Sequence, residues 1–359
     1  MTAAEHDETV LVRTRGHAGH LTLNRPKALN ALDHAMVRRI DEALTAWEHD
    51  PSIAHVVIDG AGERGLCAGG DIRSIHEDAR SGGTASTDFW REEYRLNARI
   101  ARYPKPYVAL MDGIVMGGGV GISAHGTVRI VTERSGIAMP ETGIGFVPDV
   151  GGTYLLGLAP GELGTHLALT GAIVGAADAL LRGLADHFVP AGSLPRLLDD
   201  LARDSVHDTL QRFVAQPPPG QLAARRAWID RCYGAETVEE TVDRLLAEDT
   251  AEAKEAATVL AGKSPTALKV TLAALRRARG LGPLERVLEQ EYRISCAALA
   301  SLDLVEGIRA QVIDKDRTPH WSPATLAEVT AHDVDRYFAP LGDRELHLAA
   351  PDSTQEVAW

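Results

Sequence analysis

The chain has 359 residues, of which 45% are hydrophobic and 24% charged, a globular composition long enough to bury a large core. Its 37 Lys and Arg against 50 Asp and Glu give a net charge of −13. This charge argues against a general binder of nucleic acid or anionic membranes, because such proteins need a basic face. Three widely spaced cysteines, Cys67, Cys232 and Cys296, exclude a disulfide framework and a cysteine zinc site.

The amino-terminal segment is acidic and lacks the apolar run of a secretory signal. No apolar stretch reaches the ~20 residues needed to cross a bilayer. With so few cysteines, the sequence predicts a protein of a reducing compartment, and we expect it to be cytoplasmic and free of membrane.

The first half of the chain predicts alternating strands and helices. A hairpin is expected at residues 9–15 and 20–24, and an amphipathic helix at 33–49. Further strands are expected at 55–59, 107–111, 128–132 and 136–139, and a further helix at 90–102. This alternation indicates an α/β core.

The second half is richer in helical patterns. Residues 152–188 are expected to be mainly helical, and prolines at 217–219 interrupt the chain. Helices are then predicted at 237–260, 264–278 and 283–300. We therefore predict an α/β core over residues 1–200 and a mostly helical region over residues 201–359.

Two glycine-rich loops, 67–72 and 116–121, each follow a predicted strand. Glycine lets the main chain approach a ligand closely, and N–H groups at the start of a helix lack partners within it. Two such loops facing each other would supply two donors to one developing oxyanion. Either loop taken alone is explained equally well as a tight turn from strand to helix.

Two carboxylates, Glu141 and Asp149, lie eight residues apart in an apolar loop rich in proline and glycine. Apolar surroundings disfavour the charged form and raise a carboxyl pKa into the range useful for acid–base chemistry. The alternative is structural, with Glu141 capping a turn and Asp149 capping the next helix, since Asp is a favoured helix cap.

Other patterns are weaker. Residues 119–124 fit the dinucleotide pattern G-x-G-x-x-A, but they do not open a βαβ unit, so NAD is not expected. Residues 262–264 end like a phosphate-binding loop, yet Ala257 stands where glycine is needed. The 14 histidines show no metal-ligand spacing, and Ser123 lacks the setting of a hydrolase nucleophile. No metal and no separate cofactor are expected.

Four ordered motifs, at 23–32, 67–72, 117–121 and 139–145, resemble the crotonase (enoyl-CoA hydratase/isomerase) superfamily. The resemblance implies a spiral of ββα turns, assembly into trimers or hexamers, and an acyl-CoA thioester substrate whose coenzyme A is the only cofactor involved. It also implies that the main-chain N–H groups of Gly70 and Gly118 hold the oxyanion.

Hydratases of that family use two glutamates. The first would fall at Gly121 in this chain, and the second matches Glu141. The segment 146–152 and several C-terminal motifs resemble the branch that hydrolyses 3-hydroxyisobutyryl-CoA in valine breakdown. By this resemblance Glu141 is a nucleophile or a base, while Asp149 bonds the substrate hydroxyl or helps to protonate the departing thiolate.

The resemblance also implies residues that contact the substrate. The acyl part is expected near Glu93, Ala68, Gly69, Asp71 and Gly117, and the coenzyme A part near Arg25, Lys27 and Ala28.

Three rival functions stay open at this point: an enoyl-CoA hydratase or isomerase, a non-catalytic acyl-CoA-binding protein, and, more distantly, a dehydrogenase. Gly121 argues against the first. The retained carboxylates argue against the second, because buried charge is costly to keep without a function.

Overall fold

The computed structural model describes residues 8–158 and 161–348. Its strands, in chain order, are β1 (Val10–Arg15), β2 (Ala18–Leu23), β3 (His55–Gly60), β4 (Tyr107–Met111), β5 (Ile114–Met116), β6 (Val128–Val131), β7 (Gly136–Ala138) and β8 (His187–Phe188). Six of them form one sheet in the order β1-β2-β3-β4-β6-β8, while β5 and β7 form a second, smaller sheet. Among the strand pairs of the described residues, only the β1–β2 hairpin is antiparallel.

The two sheets arise from a repeated turn of the chain. β4 and β6 lie in the large sheet, and each is followed by a strand of the small sheet, β5 and β7. The segment after β3 joins the same layer through a parallel bridge between Cys67 and Val115. This is the expected spiral of ββα turns, and it brings the ends of successive second-layer segments together at one edge.

Eight α-helices lie in the described residues before residue 202. They are α1 (His34–Glu48), α2 (Ile72–Ser81), α3 (Ala85–Ala101), α4 (Gly118–Gly121), α5 (Gly152–Gly157), α6 (Leu163–Thr170), α7 (Ala176–Leu181) and α8 (Leu194–Leu201). α1 forms as predicted, with Asp33 capping its first turn. α3 begins five residues before the predicted start, because the Asp78 carboxylate accepts hydrogen bonds from the main-chain N–H groups of Ala85 and Ser86.

The remaining helices are α9 (Val206–Phe213), α10 (Leu222–Tyr233), α11 (Val238–Ala247), α12 (Ala251–Ala261), α13 (Pro265–Leu281), α14 (Leu284–Leu299), α15 (Leu302–Ile308) and α16 (Ala331–Arg336). The single helix expected over 237–260 is wrong: the chain forms α11 and α12. Thr250 starts the second helix by accepting a hydrogen bond from the Ala253 N–H. None of the described helices is long and apolar enough to cross a membrane.

The C-terminal helices pack against the α/β part of the chain. α13 contacts α5, and α14 contacts α3, so both contribute to one hydrophobic core that also includes residues of the large sheet. The division at residue 200 stays a prediction, and the outer ends of the two predicted regions, residues 1–7 and 349–359, lie outside the described residues.

Ser264 joins α13 to its surroundings. Its buried hydroxyl donates to Asp303 at 2.5 Å and accepts from the Ala267 N–H at 3.0 Å. We expect Ser264→Ala to lower the free energy of unfolding by about 2–4 kcal/mol, because it removes a helix cap and a buried charge-assisted bond. Urea unfolding measures the change. Thr250→Ala, which removes only a cap, is the control and should cost about 1 kcal/mol; equal losses would contradict a contribution from Asp303.

Candidate active site

A cavity of about 340 Å³ lies where the two glycine-rich loops meet the loop that carries Glu141 and Asp149. Helix α3 forms one wall, and another is formed by residues of α15 together with Lys263, which lies just before α13. The lining residues used below are Ala68, Gly69, Gly70, Glu93, Gly117, Gly118, Glu141, Asp149 and Lys263. Most of the site residues expected from the sequence therefore surround one cavity.

The main-chain N–H groups of Gly70 and Gly118 lie side by side on the cavity wall. A Cβ atom built on Gly118 would lie 3.3 Å from the nitrogen of Gly70, and one built on Gly69 would lie 3.7 Å from the nitrogen of Gly118. Among the described residues, neither N–H has a hydrogen-bond acceptor. Two unused donors on adjoining loops that line one cavity suit a single oxyanion.

Glycine is required here by space as well as by conformation. A Cβ on Gly118 would lie 2.7 Å from Glu93 Oε1, and Gly117 has a φ of +48° that disfavours other residues. A Cβ on Gly118 would also lie 3.3 Å from the Gly70 nitrogen, so a side chain there would crowd the other glycine-rich loop.

Glu141 lies next to this pair of loops. Its Oε1 atom is 2.9 Å from the position that a Cβ on Gly117 would occupy, and its Oε2 atom has no partner among the described residues. Burial, followed by the nearby charge of Asp149, raises the pKa of Glu141 well above its usual value, while the charge of Lys263 acts in the opposite direction. Such a perturbed carboxyl in a cavity is typical of a catalytic group.

Asp149 is held by a contact with α3. Its Oδ2 atom accepts a hydrogen bond of 2.7 Å from the Tyr94 hydroxyl. Burial raises the pKa of Asp149 to about 7, although the bond from Tyr94 lowers it. The carboxyl is therefore protonated at higher pH than an exposed aspartate would be.

Glu93 is the third carboxyl of the cavity. It is 2% exposed, and its Oε1 atom lies without a hydrogen-bond partner among the described residues, beside Gly118. Burial and the charge of Asp149 raise its pKa well above the usual value. Its expected contact with the substrate stays a prediction.

Glu291 anchors the loop that follows Asp149. Its carboxylate accepts hydrogen bonds from the Gly151 N–H at 2.6 Å, the Thr153 N–H at 2.9 Å and the Thr153 hydroxyl at 2.5 Å. Val150, within this loop, has a φ of +53°, which is strained for a β-branched residue. Its carbonyl oxygen lies 2.8 Å from the His125 ring.

The strained conformation of Val150 places its side chain over Gly121. A Cβ on Gly121 would lie 2.6 Å from the Val150 Cβ and 2.9 Å from the Asn97 side-chain amide nitrogen. The position at which the resemblance expects a hydratase's first glutamate therefore has neither a carboxylate nor space for one.

The residues expected near coenzyme A lie outside this cavity. Arg25 donates to Asp71 at 2.9 Å and lies 3.5 Å from Asp33, and both Lys27 and Ala28 are exposed. Asp71 also does not line the cavity and instead borders a neighbouring one. The role of these four residues stays a prediction.

Several site residues were not identified from the sequence. Tyr94 and Ser295 are 201 positions apart and in contact, and Lys263 lines the cavity from the start of α13. Local patterns carry no signal for such long-range contacts. Glu291, which holds the loop after Asp149, was likewise not identified from the sequence.

Comparison with protein families agrees with this geometry. Residues 18–338 match the enoyl-CoA hydratase/isomerase family model. The chain belongs to this family.

Three relatives illustrate its range. The chain is 45% identical to a mitochondrial 3-hydroxyisobutyryl-CoA hydrolase of Rattus norvegicus, over 96% of this chain and 92% of that protein. It is 55% identical to the crystal structure of a carnitinyl-CoA dehydratase from Mycobacterium thermoresistibile, with a TM-score of 0.92 over 95% of this chain and 99% of the other. An enoyl-CoA hydratase from Rhodobacter sphaeroides is 46% identical, with a TM-score of 0.90 over 95% of this chain and all of the other.

The filled space above Gly121 is testable by its effect on stability. We expect Gly121→Ala to lower the free energy of unfolding by about 1–3 kcal/mol, because the new methyl group overlaps Val150 in a buried site. Chemical denaturation measures the loss. Gly192→Ala is the matched control, since a Cβ there meets nothing within 4 Å. If both variants are equally stable, Val150 does not block position 121.

Proposed function

We propose that this protein hydrolyses 3-hydroxyisobutyryl-CoA to the free acid and coenzyme A, a step of valine breakdown. The single observation that supports hydrolysis over hydration is the pairing at position 121, where Gly121 carries no carboxylate and Val150 fills the space. The name of the rat relative agrees with hydrolysis, whereas the two solved structures carry the names of a dehydratase and a hydratase.

In the proposed reaction the thioester oxygen lies between the N–H groups of Gly70 and Gly118. Donors of this kind each contribute ~3–4 kcal/mol, because charge develops on the oxygen only in the transition state. Glu141 acts at the carbonyl carbon, either as the nucleophile or as the base for the attacking water. The chemistry uses side chains and main-chain amides alone and needs no cofactor beyond the coenzyme A of the substrate.

A thiol-release assay tests the function directly. We expect release from 3-hydroxyisobutyryl-CoA and 3-hydroxypropionyl-CoA, and little conversion of crotonyl-CoA followed by its absorbance. Hydration of crotonyl-CoA faster than thiol release from the hydroxyacyl substrates would overturn the proposal in favour of a hydratase. Binding of these thioesters without turnover would indicate a non-catalytic protein.

Glu141→Gln should lower kcat by about 10²–10⁴-fold, because the amide neither attacks a carbonyl nor accepts a proton from water. Steady-state thiol release measures the loss. Glu285→Gln is the control: Glu285 is a buried carboxylate paired with Arg102 outside the cavity, so its loss should leave kcat within a factor of two or so. Near-normal turnover by Glu141→Gln would reject its assigned role.

The appearance of ¹⁸O in Glu141 would identify it as the nucleophile. Under single-turnover conditions in ¹⁸O-labelled water, a nucleophilic Glu141 forms an anhydride with the acyl group, and water attack at its protein-side carbonyl leaves ¹⁸O in the Glu141 carboxylate. A base puts the label only into the released acid. Mass spectrometry of the peptide that contains Glu141 reads the outcome, and Glu141→Asp serves as the displaced-carboxylate comparison.

Assembly and location stay predictions. Trimers or hexamers are expected from the family resemblance, and sedimentation of the purified chain measures them. The names of the rat and zebrafish (Danio rerio) relatives describe those proteins as mitochondrial. For this chain, a cytoplasmic location is expected from the sequence.

A further inference from the structure

A line of hydroxyl groups connects Asp149 to the main chain of α14. The Tyr94 hydroxyl lies 2.7 Å from Asp149 Oδ2 and 2.7 Å from the Ser295 hydroxyl. The Ser295 hydroxyl lies 2.9 Å from the main-chain oxygen of Glu291, one turn earlier in the helix. Tyr94 and Ser295 are both fully buried, so these contacts supply their hydrogen bonds without exposure to bulk water.

The proton count of this line allows two arrangements. Each hydroxyl has one proton to donate. When Asp149 is ionised, Tyr94 donates to Asp149 and Ser295 donates to Tyr94. When Asp149 is protonated, it donates to Tyr94, Tyr94 donates to Ser295, and Ser295 donates to the Glu291 carbonyl. Every proton has an acceptor in both arrangements, which matters because an unmatched buried donor is costly.

We propose that Tyr94 and Ser295 are positioning residues that reverse their hydrogen bonds in step with Asp149, and so let Asp149 exchange a proton during each turnover. This inference rests on the proposed thioesterase function. Asp149 gives its proton to the departing coenzyme A thiolate as the carbon–sulfur bond breaks. Asp149 regains a proton from the water that adds its oxygen to the acyl carbon: directly if Glu141 is the nucleophile, or by transfer from Glu141 if Glu141 is the base that deprotonates the water. The released acid then ionises in solution.

Other ionisable groups also surround Asp149. Glu93 on α3, Glu141 on the adjoining loop and Glu291 on α14 are acidic, and Lys263 is the basic side chain among the described residues that line the cavity. His125 faces the neighbouring Val150 carbonyl, and burial lowers its pKa to about 4, so it is neutral. Because these groups titrate together, the informative quantity is the difference in the Asp149 pKa between the parent and variants that keep all of these ionisable groups.

Removal of the Tyr94 hydroxyl and removal of the Ser295 hydroxyl should shift the pKa of Asp149 in opposite directions. Tyr94→Phe takes the donor away from ionised Asp149 and therefore raises that pKa. Ser295→Ala leaves the Tyr94 proton without an acceptor when Asp149 is protonated, but preserves the bond to ionised Asp149, and therefore lowers it. Each shift should be about one pH unit, from the cost of one unmatched buried group.

The pH profile of kcat/KM for thiol release reads these shifts. Activity that needs protonated Asp149 falls as the pH rises through the pKa of Asp149. The basic limb of the profile should therefore move to higher pH in Tyr94→Phe and to lower pH in Ser295→Ala. Ser295→Cys, which keeps a weak donor, should lie between Ser295→Ala and the parent. A purely structural role predicts changes in melting temperature with no opposite shifts, and that result would overturn the inference.

A second readout does not depend on turnover. ¹³C NMR of carboxyl-labelled aspartate follows the Asp149 titration directly, with Asp149→Asn identifying its resonance. If the parent protein releases no thiol, the proposed function fails, yet the two opposite NMR shifts still test the relay. Gln290→Met is the control, because it removes a buried bond from the same helix to the Ala274 carbonyl and should move neither limb nor resonance.

Discussion

The hydrogen bonds of a single buried carboxylate hold the site together. Glu291, from α14, accepts three hydrogen bonds from Gly151 and Thr153 at the start of α5. Burial raises the pKa of Glu291 to about 8, against the effect of these donors. These bonds hold the loop on which Val150 takes its strained conformation. In that loop the side chain of Val150 covers Gly121, and the neighbouring Asp149 accepts a bond from Tyr94.

The C-terminal helices are therefore part of the site and do more than enlarge the core. α14 supplies Glu291 and Ser295. Lys263, which directly precedes the Ser264 cap of α13, lines the cavity. The Ser264 N–H also donates to the carbonyl of Thr142, the neighbour of Glu141. A chain limited to the ββα spiral would keep the glycine-rich loops, Glu141, Asp149 and the bond from Tyr94 to Asp149, but it would lack Glu291, Ser295 and Lys263.

Local sequence predicted best where the physical signal is local. The hairpin, α1 and the strands β3 and β4 follow from apolar periodicity and caps that lie within a few residues. Where a group on another helix decides where a helix begins, the prediction was wrong. The start of α3, for example, depends on Asp78 of α2. The break between α11 and α12 depends on Thr250, a local cap that the longer apolar pattern concealed.

By itself the sequence determined the chemical groups: two glycine-rich loops, Glu141 and Asp149 in an apolar loop, and glycine at position 121. Those are properties of residue type and short spacing. Only the tertiary structure decided which groups meet. Tyr94, Ser295 and Glu291 reach the site through the packing of α14 on α3 and α5, and the strain at Val150 persists because contacts far apart in the chain hold it.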